Sequence, residues 1–227
     1  SGKEVYTLDF CYEDKYFKAI NKAPGVVADN VNFPMLRLIH RLDKDTSGVL
    51  LLAKEQSYLE SFQELFKKRV IKKTYLGLFF GHILDKGKRG FIEAPIKRVP
   101  NFKEKFGVVA DGRPSQTVYK VLRYFKYKGH DLSLAEVYPL TGRTHQIRVH
   151  FTFIHHPLVG DRIYGPARLN DEVLSPRQFL HAKSIAFRHP YTGEALKIEA
   201  ALPEDLRSFL KAVERFSEVD DKNEESD

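Results

Sequence analysis

The chain has 227 residues, 42% of them hydrophobic and 30% charged, the balance of an ordinary globular protein long enough to bury a core. No apolar run approaches the length that crosses a bilayer and no signal peptide is read; the single Cys11 excludes an internal disulfide framework and suits a reducing, cytoplasmic compartment. The net charge is +7, but residues 217–227 carry six acids and one lysine, so removing that tail's −5 leaves +12 over 1–216, a body suited to polyanions such as nucleic acid.

Phe10-Cys11-Tyr12-Glu13-Asp14 followed by Phe17-Lys18-Ala19-Ile20-Asn21-Lys22-Ala23-Pro24-Gly25 reads as a short strand, a turn and a second strand closed by Pro-Gly. The chain is then organised around His40-Arg41-Leu42-Asp43-Lys44-Asp45-Thr46-Ser47-Gly48, which runs straight into Val49-Leu50-Leu51-Leu52-Ala53-Lys54. Charged and turn-forming residues set against a fully apolar run predict a loop entering a buried strand. Asp45, Thr46 and Ser47 suit turn capping there, and Gly48 an unusual backbone dihedral.

Ser57-Tyr58-Leu59-Glu60 has the form of a capping box, and Leu59, Phe62, Leu65 and Phe66 recur at helical spacing. They predict a helix of about three turns ending near Lys68, its phenylalanines in the core. A β-rich run covers 72–81, a turn-rich connection 83–89 and a strand 91–96. Residues 97–105 form a basic loop interleaved with Pro100 and Phe102, open to solvent or to phosphate. The alternating stretches 116–125 and 130–138 around Lys126-Tyr127-Lys128-Gly129 predict an antiparallel hairpin.

Leu140-Thr141-Gly142-Arg143-Thr144-His145-Gln146-Ile147-Arg148-Val149-His150 predicts a turn opening a helix that runs to about Ile154. A metal set built from His145, His150, His155 and His156 is disfavoured. His145 and His150 are five apart on different helical faces, and no cysteine or carboxylate completes the set. A strand starts at Leu180 and runs to Phe187, His189-Pro190-Tyr191-Thr192-Gly193 turns it, and 195–201 returns. Pro203 opens a last helix, with Glu204 and Asp205 at its positive end and Leu206, Phe209, Leu210 and Val213 on one face. The expectation is a single domain over 1–216 followed by a disordered acidic tail over 217–227.

His40-Arg41-Leu42-Asp43 with Thr46-Ser47-Gly48 resembles the signature of the RluA-type family of RNA pseudouridine synthases. Lys73 two residues before Tyr75 resembles that family's second motif, and Gly142-Arg143-Thr144-His145-Gln146-Ile147-Arg148 its third. The resemblance continues through His156-Pro157-Leu158-Val159-Gly160-Asp161 and Tyr164-Gly165, and spans roughly residues 10 to 206. The link over 26–39 is shorter than in many members. Members often carry a small RNA-binding domain before the hairpin, so a minimal or a shortened enzyme is expected, with Ser1-Gly2 reading as a remnant of a cleaved tag.

The resemblance implies an α+β fold, a mixed, largely antiparallel β-sheet with flanking helices, and site-specific conversion of uridine to pseudouridine in structured RNA. Ribosomal RNA is favoured over transfer RNA. That reaction breaks the C1′–N1 bond, rotates the uracil and rejoins it through C5, without redox change, external energy, metal or cofactor. It needs a carboxylate near sugar and base, a role the resemblance gives to Asp43, as nucleophile at C1′ or C6 or as base at C2′. Arg143 is implied as its ion-pair partner, Tyr75 as the ring against the uracil, and Arg41 as the group that fills the gap left by the flipped base. The expected RNA contacts are Arg41, Lys73, Lys97, Arg98, Lys103, Lys105 and Arg148, with Leu180 and Ile147 as packing, in a monomer without membrane attachment.

Rival readings are weaker. A protein kinase would show His-Arg-Asp uninterrupted, where Leu42 intervenes, with asparagine five positions on, where Gly48 stands. A glycoside hydrolase needs a second carboxylate, and Asp45 is too close in sequence. A non-catalytic RNA-binding module of the same fold is the alternative with most weight, but binding alone gives no reason to keep Asp43, Tyr75 and Arg143 together.

Overall fold

The apolar run after the charged turn becomes β4 (Ser47–Ala53), and all seven of its residues are buried. A strand covered on both faces belongs inside a sheet, and β4 lies between β2 (Phe17–Lys22) and β11 (Leu180–Arg188), with β1 (Phe10–Glu13) outside β2. The computed structural model describes residues 10–84, 87 and 89–218, and these fall into two compact units. Ala182–Ala201 joins the residues up to Lys72 in the first unit; Lys73–His181 and the residues from Leu202 make the second. Of the expected acidic tail only residues 217 and 218 lie within the described residues, and 85, 86 and 88 of the turn-rich connection lie outside them.

In the first unit β1 and β2 form the expected antiparallel hairpin, and β2 pairs β4 from Phe17↔Ala53 to Lys22↔Gly48. The two-residue β3 (Arg37–Leu38) also pairs β4, and β12 (Ala195–Glu199) pairs β11. The helix α1 (Gln56–Lys67) drops Phe62 into a core of Phe17, Val49, Leu51, Ile185, Phe187 and Ile198. The capping box expected at Ser57 is not used. The N-cap is Glu55, because the chain turns into the helix directly after β4, and Ser57 lies inside it, bonded to the Glu55 carboxylate. Gly48 has φ +122°, and a Cβ there would stand 2.2 Å from the Ala182 carbonyl oxygen, so no side chain fits.

In the second unit four antiparallel strands run in the order β5 (Lys72–Phe80), β10 (His130–Pro139), β9 (Gln116–Tyr127), β6 (Arg89–Glu93). Lys128 and Gly129, both at positive φ, turn β9 into β10. Alternation along β5 sends Phe79 to a core with Val121, Val137, Ile147, Phe151 and Leu180, under α2 (Gln146–Phe153). It sends Leu78 and Phe80 to a second core, where Leu206 and Val213 of α4 (Glu204–Phe216) pack. The packing roles expected for Ile147, Leu180 and the α4 face follow from this. The seven-residue α3 (Ala167–Val173) was not anticipated.

The strand expected over 91–96 is broken at Pro95, whose ring nitrogen donates no ladder hydrogen bond. β6 stops at Glu93, and the basic stretch is no open loop but the tip of a ribbon of β7 (Ile96–Arg98) and β8 (Phe106–Val108). The whole is α+β, a mixed, largely antiparallel sheet with four flanking helices among the described residues.

Candidate active site

Asp43 stands on a turn whose neighbours are fixed on both sides. His40 accepts the Leu51 N–H on Nε2 at 2.9 Å and stacks on Phe66, with 5.0 Å between ring centroids. Leu42 is 7% exposed, and Thr46 N–H donates to the Asp43 carbonyl at 3.0 Å. Inward His40 and Leu42 therefore alternate with outward Arg41, which is exposed, and Asp43, which is half-buried. Beneath them Lys22, only 1% exposed, donates its ammonium to the carbonyls of Ala23, Val26 and Lys44, each at 2.9 Å. Three carbonyls match the three N–H donors, which offsets burial of that charge. This anchor was missed in the sequence, where Lys22 is one lysine among many.

In the second unit the segment before α2 carries Arg143. Its Nε and Nη2 donate to the Pro114 carbonyl at 3.1 and 2.9 Å, and its backbone N–H donates to Gln146 Oε1 at 3.1 Å. Two residues back, the Thr141 carbonyl accepts from Lys73 Nζ at 3.2 Å. Burial pushes the Lys73 ammonium down to about 8. Tyr75, on the same face of β5 as Lys73, lies opposite Val137 and packs partly buried on the core under α2. Lys73, Tyr75 and the Arg143 turn thus come together in the second unit, while Arg41 and Asp43 belong to the first.

Arg148 is a correction. Expected to touch RNA, it is 4% exposed, and its Nε and Nη2 meet both oxygens of the fully buried Asp161 at 2.7 and 3.0 Å. Asp161 also accepts the N–H groups of Ile163 and Tyr164, so the pair is a buried brace for the chain after α2. Its guanidinium lies over the Tyr164 ring, 5.1 Å from the centroid.

The basic residues of the ribbon are exposed, as an RNA contact requires, but three of them also have local partners. Lys97 pairs with Asp111 at 2.6 Å; Arg98 lies over Phe106 and donates to the Lys103 carbonyl. Lys105 sits over the exposed Phe102. Changing Lys97, Arg98, Lys103 and Lys105 together to alanine is expected to weaken RNA binding and flatten its log–log salt slope by about 3. An unchanged slope in a titration across salt would reduce the ribbon to solvated surface.

Of the four histidines weighed as a metal set, His145, His150 and His156 are hydrogen-bonded within the protein. His145 Nδ1 is hydrogen-bonded to the Tyr164 hydroxyl at 2.8 Å, and His156 Nδ1 donates to the Phe80 carbonyl at 2.8 Å. Among the described residues no three His, Cys, Asp or Glu side chains stand together as metal ligands. His150 is fully buried, and its Nε2 donates to the Ala94 carbonyl at 2.9 Å, so neutral Nδ1 accepts from Thr117 Oγ1 at 2.7 Å. Burial holds its imidazole below the ordinary 6.5. The folded state therefore resists the proton that the unfolded chain takes up. Stability from this group is complete above about 6.5 and is lost as pH falls below it. Thermal melts from pH 7 to 5 should show that loss, smaller in His150→Gln; equal acid dependence in both would exclude it.

Residues 26–153 match the family model described as RNA pseudouridylate synthase. The chain is 34% identical to the ribosomal large subunit pseudouridine synthase D of Nitrosomonas europaea over 92% of its own length and 66% of that protein's. It is 40% identical to a protein of Chloroflexus aurantiacus named as an uncharacterized RNA pseudouridine synthase, over 78% of its own length and 53% of that protein's. It thus spans about half to two thirds of the length of these curated relatives. A solved structure, human RNA pseudouridylate synthase domain containing 1, superposes with a TM-score of 0.77 at 31% identity, covering 92% of this chain and 90% of that one. With a family model matching more than half its residues and a solved relative of nearly the same extent and fold, the chain belongs to the RNA pseudouridylate synthase family.

Proposed function

We propose that the chain converts a specific uridine of structured RNA to pseudouridine, with ribosomal RNA as first substrate class and transfer RNA as second. The observation that carries this reading is Asp43, a half-buried carboxylate presented from a turn anchored by His40, Leu42 and Lys22. A carboxylate on so fixed a base loses little freedom when it meets a sugar carbon, which is what positioning contributes to catalysis.

In the proposed reaction the C1′–N1 bond breaks, the freed uracil turns, C5 bonds to C1′, and the C5 proton leaves while N1 gains one. Asp43 supplies the carboxylate, at C1′, C6 or C2′. Arg143 serves it, keeping it ionised and oriented, and Tyr75 lies against the uracil and relays the C5 proton. Arg41, exposed beside Asp43, fills the gap left by the flipped base. Lys73 and the ribbon lysines and arginine contact the RNA backbone. The name of the Nitrosomonas relative supports ribosomal RNA. A monomer in the cytoplasm, acting without metal or cofactor, completes the reading.

Mapping pseudouridines at nucleotide resolution in RNA from cells with and without this protein tests it. Loss of one or a few ribosomal RNA sites is expected. An unchanged map in both ribosomal and transfer RNA would overturn it in favour of a binding module.

A further inference from the structure

The Gln146 carboxamide uses every hydrogen-bonding position it has. Its Oε1 accepts from the Thr141 hydroxyl at 2.7 Å and from the Arg143 N–H at 3.1 Å. Its Nε2 donates to the Gln116 carbonyl and to Thr117 Oγ1, both at 2.9 Å. The orientation is forced: flipping the amide would set its NH2 against the Arg143 N–H and its oxygen against the Gln116 carbonyl. Both neighbouring hydroxyls are locked in the same sense. Thr141 Oγ1 accepts from the Gln116 N–H at 3.0 Å, so its own proton goes to Gln146. Thr117 gives its proton to His150, whose other nitrogen is committed to Ala94, and so accepts from Gln146.

All four side chains of this chain of donors are buried: Thr141, Gln146, Thr117 and His150. The block they form holds Arg143 twice. Gln146 fixes its backbone, and the same carboxamide clamps the start of β9, two residues after the Pro114 carbonyl that grips the guanidinium. An exposed turn would leave a long arginine free to sample many rotamers, at a cost on binding or reaction.

We infer that Gln146 is a positioning residue for the proposed reaction, its carboxamide setting Arg143 in register with the Pro114 carbonyl that holds the guanidinium. The inference rests on the reading of Arg143 as part of the catalytic machinery. It assigns a task to a glutamine that touches no substrate.

The test compares Gln146→Glu, Gln146→Leu, Thr141→Val and Thr141→Ser with the unaltered chain, by single-turnover rate at saturating RNA, RNA affinity, melting temperature and amide exchange at Arg143. At about pH 8 a carboxylate at 146 loses both donors, and the rate should fall about tenfold or more with RNA affinity kept, since each stranded buried group costs about a factor of ten. Lowering the pH should restore the rate, because a neutral carboxyl again offers one donor and one acceptor. Thr141→Val should lose rate and Thr141→Ser should recover it, which keeps the test alive if the glutamate variant fails to fold. Arg143 amide protection should fall in Gln146→Leu, which offers the Arg143 N–H no acceptor, whether or not turnover is observed; Gln146→Glu keeps that acceptor and should keep the protection. Protection and rate both unchanged, or a rate loss that only follows unfolding, would overturn the inference. An unaltered chain that protects Arg143 through Gln146 yet turns over no RNA would instead overturn the proposed reaction.

Discussion

Asp43→Asn is expected to abolish conversion of uridine while leaving the fold and RNA binding in place. Asparagine keeps the shape of the side chain and removes its charge. The turn is held by the Asp43 carbonyl, by His40 on Leu51 and by Lys22 on Lys44, none of which needs the carboxylate. Losing an essential catalytic group costs on the order of 10⁴-fold or more in rate. The measurement is the single-turnover conversion rate at saturating RNA, with circular dichroism and RNA affinity as controls. Turnover within about tenfold of the unaltered chain would remove Asp43 from the chemistry.

Arg148→Met should have the largest effect on stability. It strands Asp161, fully buried, with two backbone N–H donors and no cation. Breaking a buried pair from one side costs about 3–5 kcal/mol, or roughly 6–20 °C in melting temperature for a chain of this size. Because the guanidinium never reaches solvent, the RNA salt slope of the folded variant should stay where it was. A stable variant with a flattened slope would mean that Arg148 leaves Asp161 to meet RNA after all.

The contrast between these two residues shows what a sequence discloses. Asp43 and Arg148 are both charged, both inside strong motifs, and both invite a functional role. Asp43 follows inward His40 and Leu42 on a turn, so alternation turns it out, and the resemblance of the motif is what marked it for a role. Arg148 lies in a helix only eight residues long, where burial is decided by what packs on it, and its partner lies 13 residues on in Asp161. Period-3.6 reasoning names a face but not the carboxylate waiting there. The same limit explains the ribbon. Pro95 was visible, but that β7 and β8 would pair across an intervening basic tip depends on tertiary contacts. The long strands β4, β5, β9 and β10 were legible because their patterning and their turns agreed, down to Gly48. The capping box failed for a local reason: a matching four-residue pattern cannot say that the helix has already begun. Gln146 stood in plain sight inside the third motif, yet nothing in the order of residues says that it spends four hydrogen bonds on its own neighbours.

Tritium release from structured RNA labelled at C5 of uridine tests the central claim most directly, because forming the new C5–C1′ bond expels that hydrogen. Incubation of the purified chain with ribosomal RNA lacking its modifications should release tritium in step with the appearance of pseudouridine at a discrete position, and Asp43→Asn should release none. Tight, salt-sensitive RNA binding with no release from ribosomal or transfer RNA would contradict the account and leave a binding module in its place.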